Sequence, residues 1–205
     1  MTLEISTNQI SNKEIAPGYE PTYHAFVSGP TKIHQGYEYQ PYIEQEQANS
    51  DLEKFIKHLN PDNYDVIMIV EKAGWGLGDI LKNTPGFENK TILSIEYHGN
   101  SHSTQEKKKI PVPDDYKNSD KVLIVDTLLD EGGTAKLIEE DCPNADFVFA
   151  YKKRDVKDQY VPKNSAWAGE IDNLWVFGLQ TDIGTTPLGH PKDYGRNYPG
   201  IGVAA

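Results

Sequence analysis

The chain is short of cysteine, of positive charge and of long apolar runs. Cys142 is the one cysteine in 205 residues, which excludes an intramolecular disulfide and a cysteine-based zinc site. No apolar stretch approaches the roughly 18 residues of a membrane span. Lys and Arg total 20 against 31 Asp and Glu, for a net charge of −11. That balance excludes the clustered positive charge needed to track a nucleic-acid backbone or to hold an anionic membrane surface. An anionic ligand would need a local basic site set against the global field. Met1-Thr2-Leu3-Glu4 lacks the basic start and apolar core of a signal peptide, so a cytoplasmic location is expected. No internal repeat or low-complexity tract is present.

What remains is a soluble globular composition, 37% hydrophobic and 25% charged. The length suits one domain with one appendage and can bury a core without metals or crosslinks. Residues 1–49 differ from the rest. The first 50 residues hold six Glu, two Lys, no Asp and no Arg, and Tyr19, Tyr23, Tyr37, Tyr39 and Tyr42 are broken up by Pro and Gly. They read as an irregular, partly β appendage. From residue 50 a rhythm sets in. Ser50-Asp51-Leu52-Glu53 has the form of a capping box, and Leu52, Phe55, Ile56 and Leu59 share one helical face. Strands are expected at 65–70, 91–95, 122–125, 145–151 and 174–179, with short helices near 76–83 and 133–140. A long polar loop is expected over 98–119. The alternation predicts an α/β fold on a parallel sheet, whose ligands bind beyond the C-terminal strand ends.

Three segments occupy that edge. The strongest is Val122-Leu123-Ile124-Val125-Asp126-Thr127-Leu128-Leu129-Asp130-Glu131-Gly132-Gly133-Thr134. A buried strand delivers an acid at its tip, and a loop with two glycines opens a helix. Successive N–H groups and the helix dipole make an anion cradle, the glycines allow close approach, and Thr134 adds a hydroxyl. Asp126 and Asp130 can serve a sugar hydroxyl, a metal or a proton. The plain alternative is an ordinary strand–turn–helix with capping residues.

This segment resembles the phosphoribosyl-pyrophosphate (PRPP) loop of the type I phosphoribosyltransferases, whose signature runs four apolar residues, two acids, two apolar residues and Asp-Thr-Gly-x-Thr. Asp126, Asp130, Gly132 and Thr134 match. Thr127 stands in place of the second acid, and Glu131 in place of a small hydroxyl residue facing the 5′-phosphate. The resemblance assigns PRPP to Asp126, Thr127, Leu129, Asp130, Glu131, Gly132, Gly133 and Thr134. Lys72-Ala73-Gly74, after a buried strand, is similar to the family's pyrophosphate loop. A rival reading takes Gly74-Trp75-Gly76-Leu77-Gly78 as a dinucleotide fingerprint, but its spacing is GxGxG and not GxGxxG.

The C-terminal third resembles the 6-oxopurine branch of the family. There Lys153 would donate to the purine oxygen, Trp175 would stack on the base, and Val176 would meet the base through its backbone. Asp182, with Asp126, would hold Mg²⁺, and Arg196 would bind pyrophosphate. Taken singly, Trp175 suits a core strand and Lys153 a solvated strand end. Glu96-Tyr97 matches the start of a loop that closes over the reacting centre; Lys107-Lys108-Lys109 would screen phosphate or simply face solvent.

The resemblance covers residues 50–203. It implies a Rossmann-like parallel-sheet core with a small hood of N- and C-terminal segments, and phosphoribosyl transfer to a 6-oxopurine such as guanine, hypoxanthine or xanthine. Asp130 would be the catalytic base, Mg²⁺ the cofactor, and a dimer or tetramer the assembly. Two alternatives follow from Thr127, Glu131 and Ala73 and from the base site: a PRPP- or nucleotide-binding regulatory protein with weak or no catalysis, and a different base.

Overall fold

The computed structural model describes residues 15–24, 32–34, 37–39, 45–71, 74–99 and 107–171. In chain order the strands and helices are β1 (Thr22–His24), β2 (Lys32–His34), β3 (Tyr37–Tyr39), α1 (Gln45–Ile56), β4 (Val66–Val70), α2 (Trp75–Lys82) and β5 (Thr91–His98). They continue with β6 (Lys107–Ile110), β7 (Val122–Leu129), α3 (Gly133–Asp141), β8 (Asp146–Lys153) and β9 (Ser165–Ile171). Seven strands form one sheet in the order β1-β9-β8-β7-β4-β5-β6. Every neighbouring pair is parallel except β5 with β6. Strands β2 and β3 pair separately, antiparallel.

Both faces of this sheet are covered, which is why its central strands read as unbroken apolar runs. In β4, Ile67 and Ile69 point into one core with Leu52, Phe55 and Ile56 of α1 and Leu77 and Leu81 of α2. Val66, Met68 and Val70 point into the other, with Ala135, Leu137 and Ile138 of α3. Burying a side chain of this size stabilises the fold by roughly 2 kcal/mol. Among the described residues no helix is long and apolar enough to cross a membrane.

The structure departs from the expected elements in four places. Helix α1 starts at Gln45, so Ser50 is no N-cap and the capping box is not formed. The segment before Ser50 contains no helix breaker, and Gln47 donates to Asp51 one turn later at 2.9 Å. Strand β9, beside β8, is absent from the expected elements, while the strand expected at 174–179 lies outside the described residues. Sequence patterning missed β9 because Ala166, Ala168 and Gly169 supply almost no hydrophobic signal. They are small because α1 and the rings of Tyr19 and Tyr151 crowd that face: a Cβ on Gly169 would reach into the Tyr151 ring. The loop expected over 98–119 contains β6, and two lysines of its basic run have structural partners. Lys108 pairs with Asp141 at 2.8 Å and Lys109 with Glu96 at 2.8 Å, so these two do not stand apart as a phosphate screen. Finally, Ile15, Ala16 and Tyr19, in the segment expected to be an appendage, are core residues, and β1 extends the main sheet.

Asp51 ties that N-terminal segment down. Its carboxylate is fully buried and receives His24 Nε2 at 2.7 Å, Gln47 Nε2 at 2.9 Å and the Tyr151 hydroxyl at 3.0 Å. Tyr19 completes the knot by donating to the Ala168 carbonyl at 2.7 Å. Burial opposes ionisation of Asp51, but the bonds from His24, Gln47 and Tyr151 outweigh it and hold the carboxyl below its ordinary value. Because the folded value is depressed, the stabilisation is present above the ordinary carboxylate range and is lost as pH falls through it. Asp51→Ala takes the acceptor from the buried Tyr151 hydroxyl, from the half-buried His24 and from Gln47, and is expected to cost about 3 kcal/mol at pH 7. The difference from wild type in urea unfolding should shrink towards pH 3; a constant difference would show that charge is not involved.

Candidate functional site

The C-terminal ends of β7 and β8 carry several of the candidate residues. Strand β7 runs to Leu129, beyond the expected end at Val125, so Asp126 lies within the strand and not at its tip. It is paired opposite Phe149 of β8. The extension arises because β8 also runs on, to Lys153, keeping Leu128 and Leu129 paired with Tyr151 and Lys152. Thr127 and Leu129 are buried, and the Leu129 side chain packs in the core on the α3 side. Leu129 can therefore face a ligand at the strand ends only through its backbone.

Past Leu129 the chain turns through Asp130 and Glu131 into α3. Gly132 is the N-cap, at φ 83°, a left-handed conformation suited to glycine. A Cβ there would also collide with the Tyr160 carbonyl. No side chain caps α3. Thr134 faces Gly99 at the end of β5: Gly99 N–H donates to its Oγ at 3.3 Å. The Gly99 backbone lies so close to Gly133 that a Cβ would not fit. Thus the β5 end and the glycine loop sit together.

Two candidates far apart in sequence meet here. Lys153 Nζ lies 2.7 Å from Asp130 Oδ2. The lysine is buried at 6% exposure, so its ammonium depends on this partner, and it is not the solvated strand end that the sequence allowed. Gln159, which sequence reading missed, donates to the Asp130 carbonyl at 2.6 Å and the Lys153 carbonyl at 3.1 Å. Its neighbour Tyr160 donates its N–H to Glu131 O at 2.9 Å. The visible sequence signal was weak: Asp155 and Asp158, both at positive φ, are residue types that tolerate tight turns.

Asp126 is different. Among the described residues its carboxyl receives one hydrogen bond, from Thr127 N–H at 2.7 Å. Burial pushes its pKa up to about 7, and that bond offsets only part of the effect. Just after the neighbouring strand β4, Gly74 N–H bonds Val70 O at 2.9 Å, and a Cβ on Gly74 would strike the Val125 carbonyl. Glycine at 74 therefore lets the chain at this residue lie against β7, next to Asp126. Lys72, Ala73, Trp175, Val176, Asp182 and Arg196 lie outside the described residues. Among the described residues no three His, Cys, Asp or Glu groups gather as a ready-made metal site.

No protein-family model matches the chain. Solved structures do. A purine phosphoribosyltransferase from Pyrococcus horikoshii superposes with TM-score 0.51 at 17% identity, covering 65% of this chain and 87% of that one. A hypoxanthine-guanine phosphoribosyltransferase from Bacillus anthracis gives TM-score 0.51 at 16% identity, over 80% of this chain and 96% of that one. The hypoxanthine phosphoribosyltransferase of Trypanosoma cruzi, in complex with its product IMP, gives 0.50 at 16%, over 64% and 80%. The fold is that of the type I phosphoribosyltransferases. The sequence resemblance is borne out at that level.

Within this phosphoribosyltransferase fold Asp126 makes a direct test of the site's electrostatics. Its folded value lies above its unfolded one, so its contribution to stability is complete at low pH and is lost as pH rises through about 7. Asp126→Asn, which keeps the Thr127 hydrogen bond and never ionises, is expected to be more stable than wild type at pH 8, on the order of 2 kcal/mol. The two stabilities should converge only below about pH 4, the ordinary carboxylate range. Thermal unfolding across that range checks it, and a variant less stable than wild type at pH 8 overturns the assignment.

Proposed function

We propose that this protein transfers a phosphoribosyl group from PRPP to a purine base and releases pyrophosphate. The observation that carries the reading is the Asp130–Lys153 ion pair. It joins the glycine loop to the end of β8 at the C-terminal edge of a sheet of this fold. Matching motifs alone would leave the two residues 23 positions apart with no reason to meet. Solved purine phosphoribosyltransferases of similar fold support the class of reaction.

In this reading the N–H groups of residues 130–134 hold the 5′-phosphate. Asp126 accepts from the ribose hydroxyls. Lys153 leaves Asp130 to donate to an exocyclic purine oxygen, so a 6-oxopurine is the preferred base, with Trp175 stacked on it and Val176 at its edge. A purine nitrogen then bonds to the sugar C1 as the C1–O bond to pyrophosphate breaks, and the bonding pair leaves with pyrophosphate. Asp130, released by Lys153, takes the proton that the purine loses. Lys72, Ala73, Gly74 and Arg196 are assigned to the departing pyrophosphate.

The donor set suits Mg²⁺, a hard cation commonly held by one or two carboxylates plus substrate phosphates. Among the described residues Asp126 retains acceptor capacity beyond the bond from Thr127, and Asp182 is assigned as its partner. When bound, the ion supplies positive charge to the leaving group.

A second reading, PRPP or nucleotide binding with little catalysis, is favoured by Thr127. It is buried at 2% exposure where the family signature has a second acid, so one carboxylate is missing from the ribose side. One experiment separates the two: guanine, hypoxanthine, xanthine, adenine, uracil and orotate are each supplied with PRPP and Mg²⁺, and product nucleotide and PRPP affinity are both measured. Turnover with a 6-oxopurine is expected. In Asp130→Asn, PRPP binding should persist while kcat falls by about 100-fold or more. Tight PRPP binding with no nucleotide from any base supports the second reading, and undiminished turnover in the variant removes Asp130 from its role.

A further inference from the structure

We infer that Gln159 is a positioning residue for the 5′-phosphate cradle, holding its peptide groups in the orientation that an anion requires. The inference rests on the phosphoribosyl reading above. Gln159 touches no proposed substrate atom; it acts through the loop.

The argument starts from the peptide plane. In a trans peptide the C=O of one residue and the N–H of the next point in opposite directions. Whatever fixes the carbonyl therefore fixes the amide on the other side. Gln159 Nε2 donates to the carbonyls of Asp130 at 2.6 Å and Leu129 at 3.4 Å. The N–H of Tyr160 takes the next carbonyl, that of Glu131, at 2.9 Å. Three consecutive carbonyls, 129, 130 and 131, are thus turned towards the segment at 159–160. The N–H groups of residues 130, 131 and 132 accordingly point away from that segment. Consecutive N–H groups oriented together are the makings of an anion nest.

The same amide group reaches the Lys153 carbonyl at 3.1 Å. Asp130 and Lys153 are therefore bridged twice, once by their side chains at 2.7 Å and once through their backbones by Gln159. The second bridge does not depend on the first. When Lys153 turns to a base, the backbone link remains and the cradle keeps its shape. Asp155 and Asp158, at φ 55° and 56°, set the turn that brings Gln159 to this spot. Tyr160 holds the far side by bonding Glu139 of α3.

Gln159→Met keeps the length of the side chain and removes both donors. Ribose 5-phosphate and magnesium pyrophosphate are the probes, each titrated calorimetrically into wild type and variant. Ribose 5-phosphate affinity is expected to fall about tenfold, with pyrophosphate affinity unchanged within about twofold. A residue that only stabilises the fold would weaken both alike. Equal losses, or no loss, therefore overturn the role of Gln159 while leaving the phosphoribosyl reading standing. Failure of wild type to bind ribose 5-phosphate overturns that reading and the inference with it. Should Gln159→Met not fold, Gln159→Glu, which sets an oxygen against the same carbonyls, is expected to show the same selective loss. If neither variant folds, Gln159 is structural and the inference falls.

Discussion

Strand β7 is hydrogen-bonded in parallel to β4 on one side and to β8 on the other, and the candidate site depends on both pairings. Ile69 of β4 and Val148 of β8 lie opposite the same residue, Val125. β4 ends at Val70 while β7 runs on to Leu129, and Gly74, just after β4, sets its backbone against the Val125 carbonyl within β7. On the other side, continued pairing of β7 with β8 carries Lys153 to the level of the loop that bears Asp130. A one-residue slip of either strand would turn alternate side chains to the opposite face and separate these groups.

The electrostatics follow from that geometry. A chain of net charge −11 has no field to draw in a polyphosphate, so local cations must do the holding. Of the described lysines, Lys108 and Lys109 are committed to Asp141 and Glu96. Lys153 is committed to Asp130, at the C-terminal edge of the sheet. Asp126 is the opposite case, a carboxyl whose surroundings disfavour its charge. Among the described residues, a buried cation paired to a candidate base beside an acid whose burial disfavours its charge suits a ligand that brings both a hydrogen-bond acceptor and hydroxyls or a metal.

The knot around Asp51 connects the N-terminal residues to the same strand. Tyr151, which bonds Asp51, lies two residues before Lys153 on β8, and His24 of β1 bonds the same carboxylate. The N-terminal segment is thus fastened to the sheet beside the proposed base site. Its fastening is polar and buried, so it is sensitive to the loss of a single partner.

By itself the sequence determined the parallel sheet, the order in which the chemistry-bearing loops leave it, and Asp130 with its glycine turn. These are local patterns: continuous apolar runs, glycine spacing, acids after strands. It also placed Lys153 after a strand. Tertiary structure alone decided that Lys153 meets Asp130, that Gln159 clamps both backbones, that Asp51 is buried, and that β9 is a strand. Each of these is a contact between segments distant along the chain, or a burial imposed by neighbours. Alanines pressed beneath helix α1 and a glutamine bonded to carbonyls read, in one dimension, like any others, because hydrogen bonds to main-chain atoms and packing against small residues leave no periodic trace.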